Sequence, residues 1–366
     1  MAATAGASQA STRANYLPSA TSFDLTISPA QAEMIDGQML YQLLFFQGAN
    51  DPSPELRVQQ GRWITINVTN ADSRPHQFYI LGVPKSFIPT IEPGQTGTAV
   101  FRSPRGGTYL YVDPLMDPVN RLLGLHGAFV SEPLRNGKTP NGNPTPYSDR
   151  DHNPQLHALF DAFGRTSRFP GDRWRHSDSD REKTWLFTQI DPSLNASVAA
   201  GDTVDPERVR DAFLPRYFTI NGLSGFDTAV HGDGSHADPR AMRIMPRARQ
   251  GQPCLLRCLN AGLAHHAVHI HGNHCMEVAE SDSGHRMMVN SNIYERDTWH
   301  LHPLQRVDMM LPFERPPDIP DQCWPPREET FPLRYVMHCH FELSQTAGGG
   351  NYPQGAVTHW EMTAPL

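Results

Sequence analysis

Proline punctuates this chain from end to end. Its 33 prolines and 28 glycines are spread over 366 residues, and long apolar stretches of helical period are scarce between them. A proline inside a helix removes a backbone hydrogen bond and clashes with the preceding turn. The apolar residues must therefore be buried as short extended segments, and they occur as such. FDLTI, LYQLLFF, WITINVTN, QFYIL, TAVFR, TYLYV and HGAFV come first; KTWLFTQI, RYFTING, CLLRCLN, AVHIH, RVDMMLPF, RYVMHCH and VTHWEM follow. Short apolar runs separated by turn residues read as strands of β-sandwiches or barrels.

The length suits two domains rather than one core. Residues 1–20 are an Ala/Ser/Thr-rich tail, 21–135 hold the first set of strands, and 183–366 hold the second. Residues 136–182 between them are polar and proline-rich, with one short helix expected around LHALFDAF, and read as an ordered linker. Both sets run through a similar order of strands, as two diverged copies of one fold would.

A net charge of −7 without a basic cluster argues against nucleic acid or an anionic membrane surface as partner. No apolar stretch approaches the ~18 residues of a spanning helix. The first residues lack the apolar core of a secretory signal, so the chain as written is either cytoplasmic or a mature exported form. Five scattered cysteines do not form a disulfide framework. Cys254 and Cys258 fall on one face of an apolar strand and read as packing thiols, whereas Cys339 lies between two histidines.

The chemistry-bearing residues are in the second half. His266, His269 and His271 form an HxxHxH segment, and His338-Cys339-His340 follow 67 residues after His271. On a strand, residues two apart share a face, so His269 and His271 project together, as do His338 and His340. Cys339 projects the other way, which lets one strand serve metals on both sides. Imidazole and thiolate together suit copper. His265, His274, His300, His302 and His359 fall outside this spacing and read as ordinary histidines.

HHAVHIHG and MHCH resemble the third and fourth copper motifs of the multicopper oxidases, the laccase-like family. FDLTISPAQAEMIDGQMLYQ resembles the family's opening strands, and GTYLYVDPLMDPVNRLLGLHGAFVSEP the end of its first domain. The resemblance covers most of the chain. It implies two cupredoxin-like Greek-key β-sandwich domains, with a copper site in the second. In that family His266 and Cys339 would bind the type 1 copper and His269 the type 2. His271, His338 and His340 would bind the type 3 pair, where dioxygen is reduced. Two-domain members often form trimers, so a homotrimer is implied as well.

The departures matter as much. The sequence reading puts the family's second His-x-His at Leu110 and Val112, and its first at His76 and Phe78, with His76 standing in for a type 2 ligand. The second type 1 histidine falls on Ser344, and a Gly-rich insertion displaces the axial residue. A full four-copper set is therefore not expected. The residues point instead to a copper-dependent oxidoreductase with a one- or two-copper centre, oxidising a small organic molecule with dioxygen. A non-catalytic copper-binding protein and a nitrite-reductase-like enzyme are the alternatives. Arg102, Arg105, Tyr109, Tyr111, Asp113, Met116 and Asp117 surround the vacated positions, either as replacement core and loop residues or as walls of a substrate site.

Overall fold

The structure is a computed structural model, and it describes residues 20–48, 51–134, 137–175, 181–229, 235–236, 238–317, 319–326 and 330–366. The expected strands form four sheets, two in each half. In the first half, one sheet runs in the order Asp51–Pro52, Met39–Gln47, Ser22–Glu33, Trp63–Asn70, Thr96–Arg102. The facing sheet runs Leu56–Gln59, His126–Glu132, Gly107–Val112, His76–Ile80, Ile88–Ile91. Alternating apolar residues from both faces, among them Ile27, Phe45, Ile66, Phe78, Phe101 and Phe129, close the core between them.

The second half repeats this plan. One sheet runs Tyr217–Ile220, Glu182–Ile190, Cys254–Asn260, Arg306–Leu311, Cys275–Ser281, Met287–Arg296. Its partner runs Arg247–Ala248, Val357–Met362, Leu333–Cys339, His266–Ile270, Thr298–Leu301. In both halves the opening strand pairs in parallel with the third major strand, Phe23 with Ile66 and Trp185 with Cys258. The hairpin Cys275–Ser281/Met287–Arg296 was not legible in the sequence, because its second strand carries polar residues on a largely exposed edge.

Cys254 and Cys258 are buried in the core of the second half, as expected. Three helices each begin at an acidic or amide residue followed by proline: Pro154–Ala162, Pro192–Ala200 and Pro206–Ala212. The Asn153, Asp191 and Asp205 side chains accept from backbone amides of the first turn, while proline supplies the first helical residue without needing a donor. The first is the helix expected in the linker. The linker is a packed layer. Tyr147, Leu156, Phe160, Phe163, Phe169 and Trp174 cover the outer face of the second half's sheet, against Leu255, Met276, Val278 and Met310.

The halves are joined by charge as well as by apolar contact. Arg57 of the first half pairs with Glu132 and, at 2.7 Å, with Glu182 of the second. Arg257 bonds Glu182 at 2.7 Å and Thr108 at 2.9 Å, and Asp308 accepts from Thr108 at 2.6 Å and from the linker's Tyr147 at 2.9 Å. Arg121 donates to the carbonyls of Ala261 and Gly262 at 2.6 and 2.9 Å. Gly82 (φ +82°) touches the other half so closely that a Cβ there would lie 2.2 Å from the His285 carbonyl oxygen. Only glycine fits such an approach.

Candidate metal centre

The strands His266–Ile270 and Leu333–Cys339 are antiparallel neighbours, with His269 opposite His338 and Val268 opposite Cys339. The pleat then sorts the side chains into two sets. His266 and Cys339 are fully buried on the inner face with Val268, Ile270 and Met337. His269, His271, His338 and His340 stand on the outer face, half-buried or exposed.

The four outer imidazoles converge. The His269 ring centroid lies 4.7 Å from that of His271, 5.3 Å from His338 and 4.5 Å from His340. The Nε2 atoms of His271 and His338 are 3.1 Å apart. His269, His271 and His338 each offer one ring nitrogen within 4.8 Å of the others. His269 Nδ1 lies 2.9 Å from Thr298 Oγ1 and 3.0 Å from the Asp297 carbonyl oxygen, which holds the ring and leaves Nε2 for the cluster. The backbone around His271 is pinned at both ends: its amide donates to Val336, and its carbonyl accepts from Trp360 Nε1 at 2.9 Å. Burial, then the neighbouring His271 and His340, lowers the pKa of His269. Burial also lowers His338, reinforced by the same two rings against its bond to the Cys339 carbonyl. Both shifts favour the neutral ring, the form that can offer a lone pair to a metal.

The inner pair differs. The Cys339 sulfur accepts from the Ala267 amide at 3.3 Å. His266 Nε2 lies 2.5 Å from the Gln189 side-chain nitrogen, and its Nδ1 is buried with no hydrogen-bond partner. Burial lowers the pKa of His266 to about 3. Ser344 is buried, but its hydroxyl donates to the Phe341 carbonyl at 2.7 Å within the short turn Glu342–Gln345. It is thus turned to its own backbone.

The first half corrects the sequence reading of its own motifs. Two loops are built alike. Asn70 donates to the Arg74 and Ile91 carbonyls and accepts from the Asp72 amide; Asn260 donates to Ala264 and Leu301 and accepts from Gly262. With these loops level, His76 matches His266, Tyr79 matches His269, and Leu81 matches His271. The pairing of Tyr79 with Val112 mirrors that of His269 with His338. Val112, Asp113 and Pro114 therefore stand level with His338, Cys339 and His340. Level with the second half's four outer histidines therefore stand Tyr79, Leu81, Val112 and Pro114, not the Phe78 and the Leu110/Val112 pair of the sequence reading.

His76 accordingly is not an outer-face ligand. It is buried on the inner side, with Nδ1 2.7 Å from Asp113 and Nε2 3.1 Å from Asp72, so both ring nitrogens are occupied. Burial raises the pKa of Asp113. At Asp72 bonds from His76, the Ser73 amide and Arg74 outweigh burial and lower it. Phe78 and Tyr111 belong to the aromatic core with Phe45. This face of the first half is filled: Leu81, Leu110, Val112 and Ala128 pack on Leu186, Leu259 and Ala261 of the second half, with Tyr79 and Leu304 at the edge.

His126, which carried no distinct signal in the sequence, is buried beside Val112 with Nδ1 unpartnered. Burial, then Arg121, lowers its pKa to about 3. Because the unfolded chain takes up a proton below the ordinary imidazole pKa and the folded chain refuses it, stability is full above about pH 6.5 and falls as pH drops towards 3. His126→Gln is expected to remove one proton from that dependence, about 1.4 kcal/mol per pH unit, in denaturant midpoints measured from pH 7 to pH 4.

No family model and no curated protein sequence matches the chain. Solved structures do. A blue copper oxidase from Nitrosomonas europaea aligns at 19% identity and a TM-score of 0.63, over 93% of this chain and 85% of that one. The multicopper oxidase mgLAC aligns at 20% and 0.64, over 94% and 86%. A copper nitrite reductase from Nitrosomonas europaea aligns at 13% and 0.58, over 93% of both. At these identities the likeness is one of fold. The chain has a two-domain cupredoxin architecture, as the sequence led us to expect.

Proposed function

We propose that this chain is a copper-dependent oxidoreductase with a reduced copper set: one copper held by His269, His271 and His338, with His340 alongside. The observation that carries this reading is the convergence of those imidazoles on a solvent-facing sheet face. Neutral imidazole suits copper among the d-block metals, and a fold shared with copper oxidases and a copper nitrite reductase supports that choice. A copper so held would supply one-electron redox chemistry and a coordination position open to a small ligand. The residues around it have separate tasks. Thr298 and the Asp297 carbonyl aim the His269 ring, and Trp360 and Val336 hold the His271 backbone. The exposure of His271 and His340 leaves access for dioxygen and a small organic substrate.

Tyr79, Leu81, Val112 and Pro114 argue against a full cluster, and Ser344 argues against a complete type 1 site. His266 and Cys339 are read as the remnant of that site. The first half contains no cysteine, which argues against a nitrite-reductase-like arrangement with its type 1 copper there. A homotrimer seating the exposed histidine face against a neighbouring subunit belongs to the same proposal, and mass measurement in solution tests it.

The deciding experiment combines copper content, electron paramagnetic resonance and oxygen uptake with a panel of phenols. The proposal expects one copper per chain with a spectrum lacking the intense blue band, and oxygen uptake that depends on it. Absence of tightly bound copper would sink it. A blue band would show that type 1 is intact after all, and bound copper without oxygen uptake would favour the non-catalytic reading. Thr298→Val is expected to weaken copper binding by about tenfold, the usual cost of losing a group that orients a ligand, with the fold unchanged by circular dichroism.

A further inference from the structure

The outer face that carries the four imidazoles continues past them. His266 pairs with Leu301 and Ala267 with His300 across the neighbouring strand, so His265 and His302 extend the same face beyond its end. Their Nδ1 atoms are 2.7 Å apart and their rings meet edge to face at 4.6 Å between centroids. His300 lies parallel to His302 at 6.3 Å. Four residues of strand separate His265 from His269, roughly 13 Å, so the pair is a separate cluster.

A second observation points to a cation. His300 and His302 line a cavity of about 350 Å³ together with Glu277, Glu280, Tyr294 and Arg296. Glu277 is paired with Arg296 at 2.8 Å. Glu280 makes no such close pair among the described residues: it accepts from Gln305 at 3.2 Å, and Arg296 and His302 act on it from further off. Gln305 also receives the His302 amide at 2.9 Å, which ties the carboxylate and the imidazole to one side chain. The two imidazoles that meet through Nδ1 offer nitrogen donors suited to a divalent d-block ion, with Glu280 and His300 on the His302 side to supply a further ligand if they move in.

We propose that His265 and His302, completed by Glu280 or His300, form a second metal site for a divalent cation of the zinc or copper(II) class. In the metal-free pair one Nδ1 donates its proton to the other. An ion at about 2.0–2.1 Å from each nitrogen needs the two only about half an ångström further apart. The shared proton then moves to the Nε2 of its own ring, so no redox partner is required.

The test uses the full chain, stripped with chelator and titrated with Zn(II), with retained zinc counted after gel filtration. The wild type is expected to hold one equivalent more than His265→Ala/His302→Ala. A His269→Ala/His271→Ala/His338→Ala variant should keep the equivalent that the first pair of substitutions removes. His265→Asn/His302→Gln, which preserves size and polarity, should lose the same equivalent with an unchanged circular dichroism spectrum. Equal zinc in wild type and in both double variants overturns the proposal. The copper-centre reading fails by a different result, unaltered metal binding in the triple variant, so the two are separable.

Discussion

His338→Ala is expected to lower copper affinity by at least about a hundredfold, beyond the loss that follows removal of an orienting group alone. His338 shares the closest nitrogen–nitrogen approach of the cluster, 3.1 Å to His271, and belongs to the trio within 4.8 Å. Two imidazoles on one strand, His269 and His271, would remain without a facing partner. Ser344→Ala is the matched control. The Ser344 hydroxyl is spent on the Phe341 carbonyl, so this variant should bind copper as the wild type does. Equilibrium dialysis against a competing chelator measures both. Equal losses in the two variants would mean that the copper sits on the inner face with Cys339, contrary to the outer-face proposal.

The second large effect is on stability. Arg257→Leu is expected to cost about 3–5 kcal/mol, the penalty for leaving buried charge uncompensated. Arg257 is fully buried, against Glu182 at 2.7 Å and Asp308 at 3.4 Å, and both carboxylates are buried as well. Burial opposes its charge, but Glu182 and Asp308 outweigh that and hold the guanidinium ionised. In turn Arg257 and Arg57 outweigh the burial that would raise Glu182, and lower its pKa. Urea unfolding with two probes, one per half, reads the loss; a chain of this size need not unfold in one step. Glu182 keeps Arg57 at 2.7 Å, whereas Asp308 is left with only the Thr108 and Tyr147 hydroxyls, so adding Asp308→Asn to Arg257→Leu should return part of the stability. A loss unchanged in the double variant would mean that lost packing, rather than lost charge, carries the cost.

The β-architecture was legible because the punctuation by proline and glycine left only short apolar runs. The fourteen runs read from the sequence coincide with strands. The second-half histidines were legible because two-residue spacing on a strand is a geometric statement in itself. In the first half the same reasoning slipped by two residues at Leu110 and Val112. A strand in which Tyr109, Leu110, Tyr111 and Val112 are all buried has no alternation to reveal which side chains face which way. His76 misled for a related reason. It stands level with His266 rather than with His269, a register visible only once the Asn70 and Asn260 loops are compared. His265, His300 and His302 were passed over because their proximity is made by strand pairing, not by sequence spacing.

The linker described above is more than a connection. It lays six apolar side chains on the second half's outer sheet and sends Tyr147 to the same Asp308 that receives Thr108 from the first half. Covalent continuity is therefore only one of several ties between the halves. A chain nicked within the linker should stay clasped as a two-fragment complex, and the halves should behave as one welded block rather than as bodies swinging on a hinge.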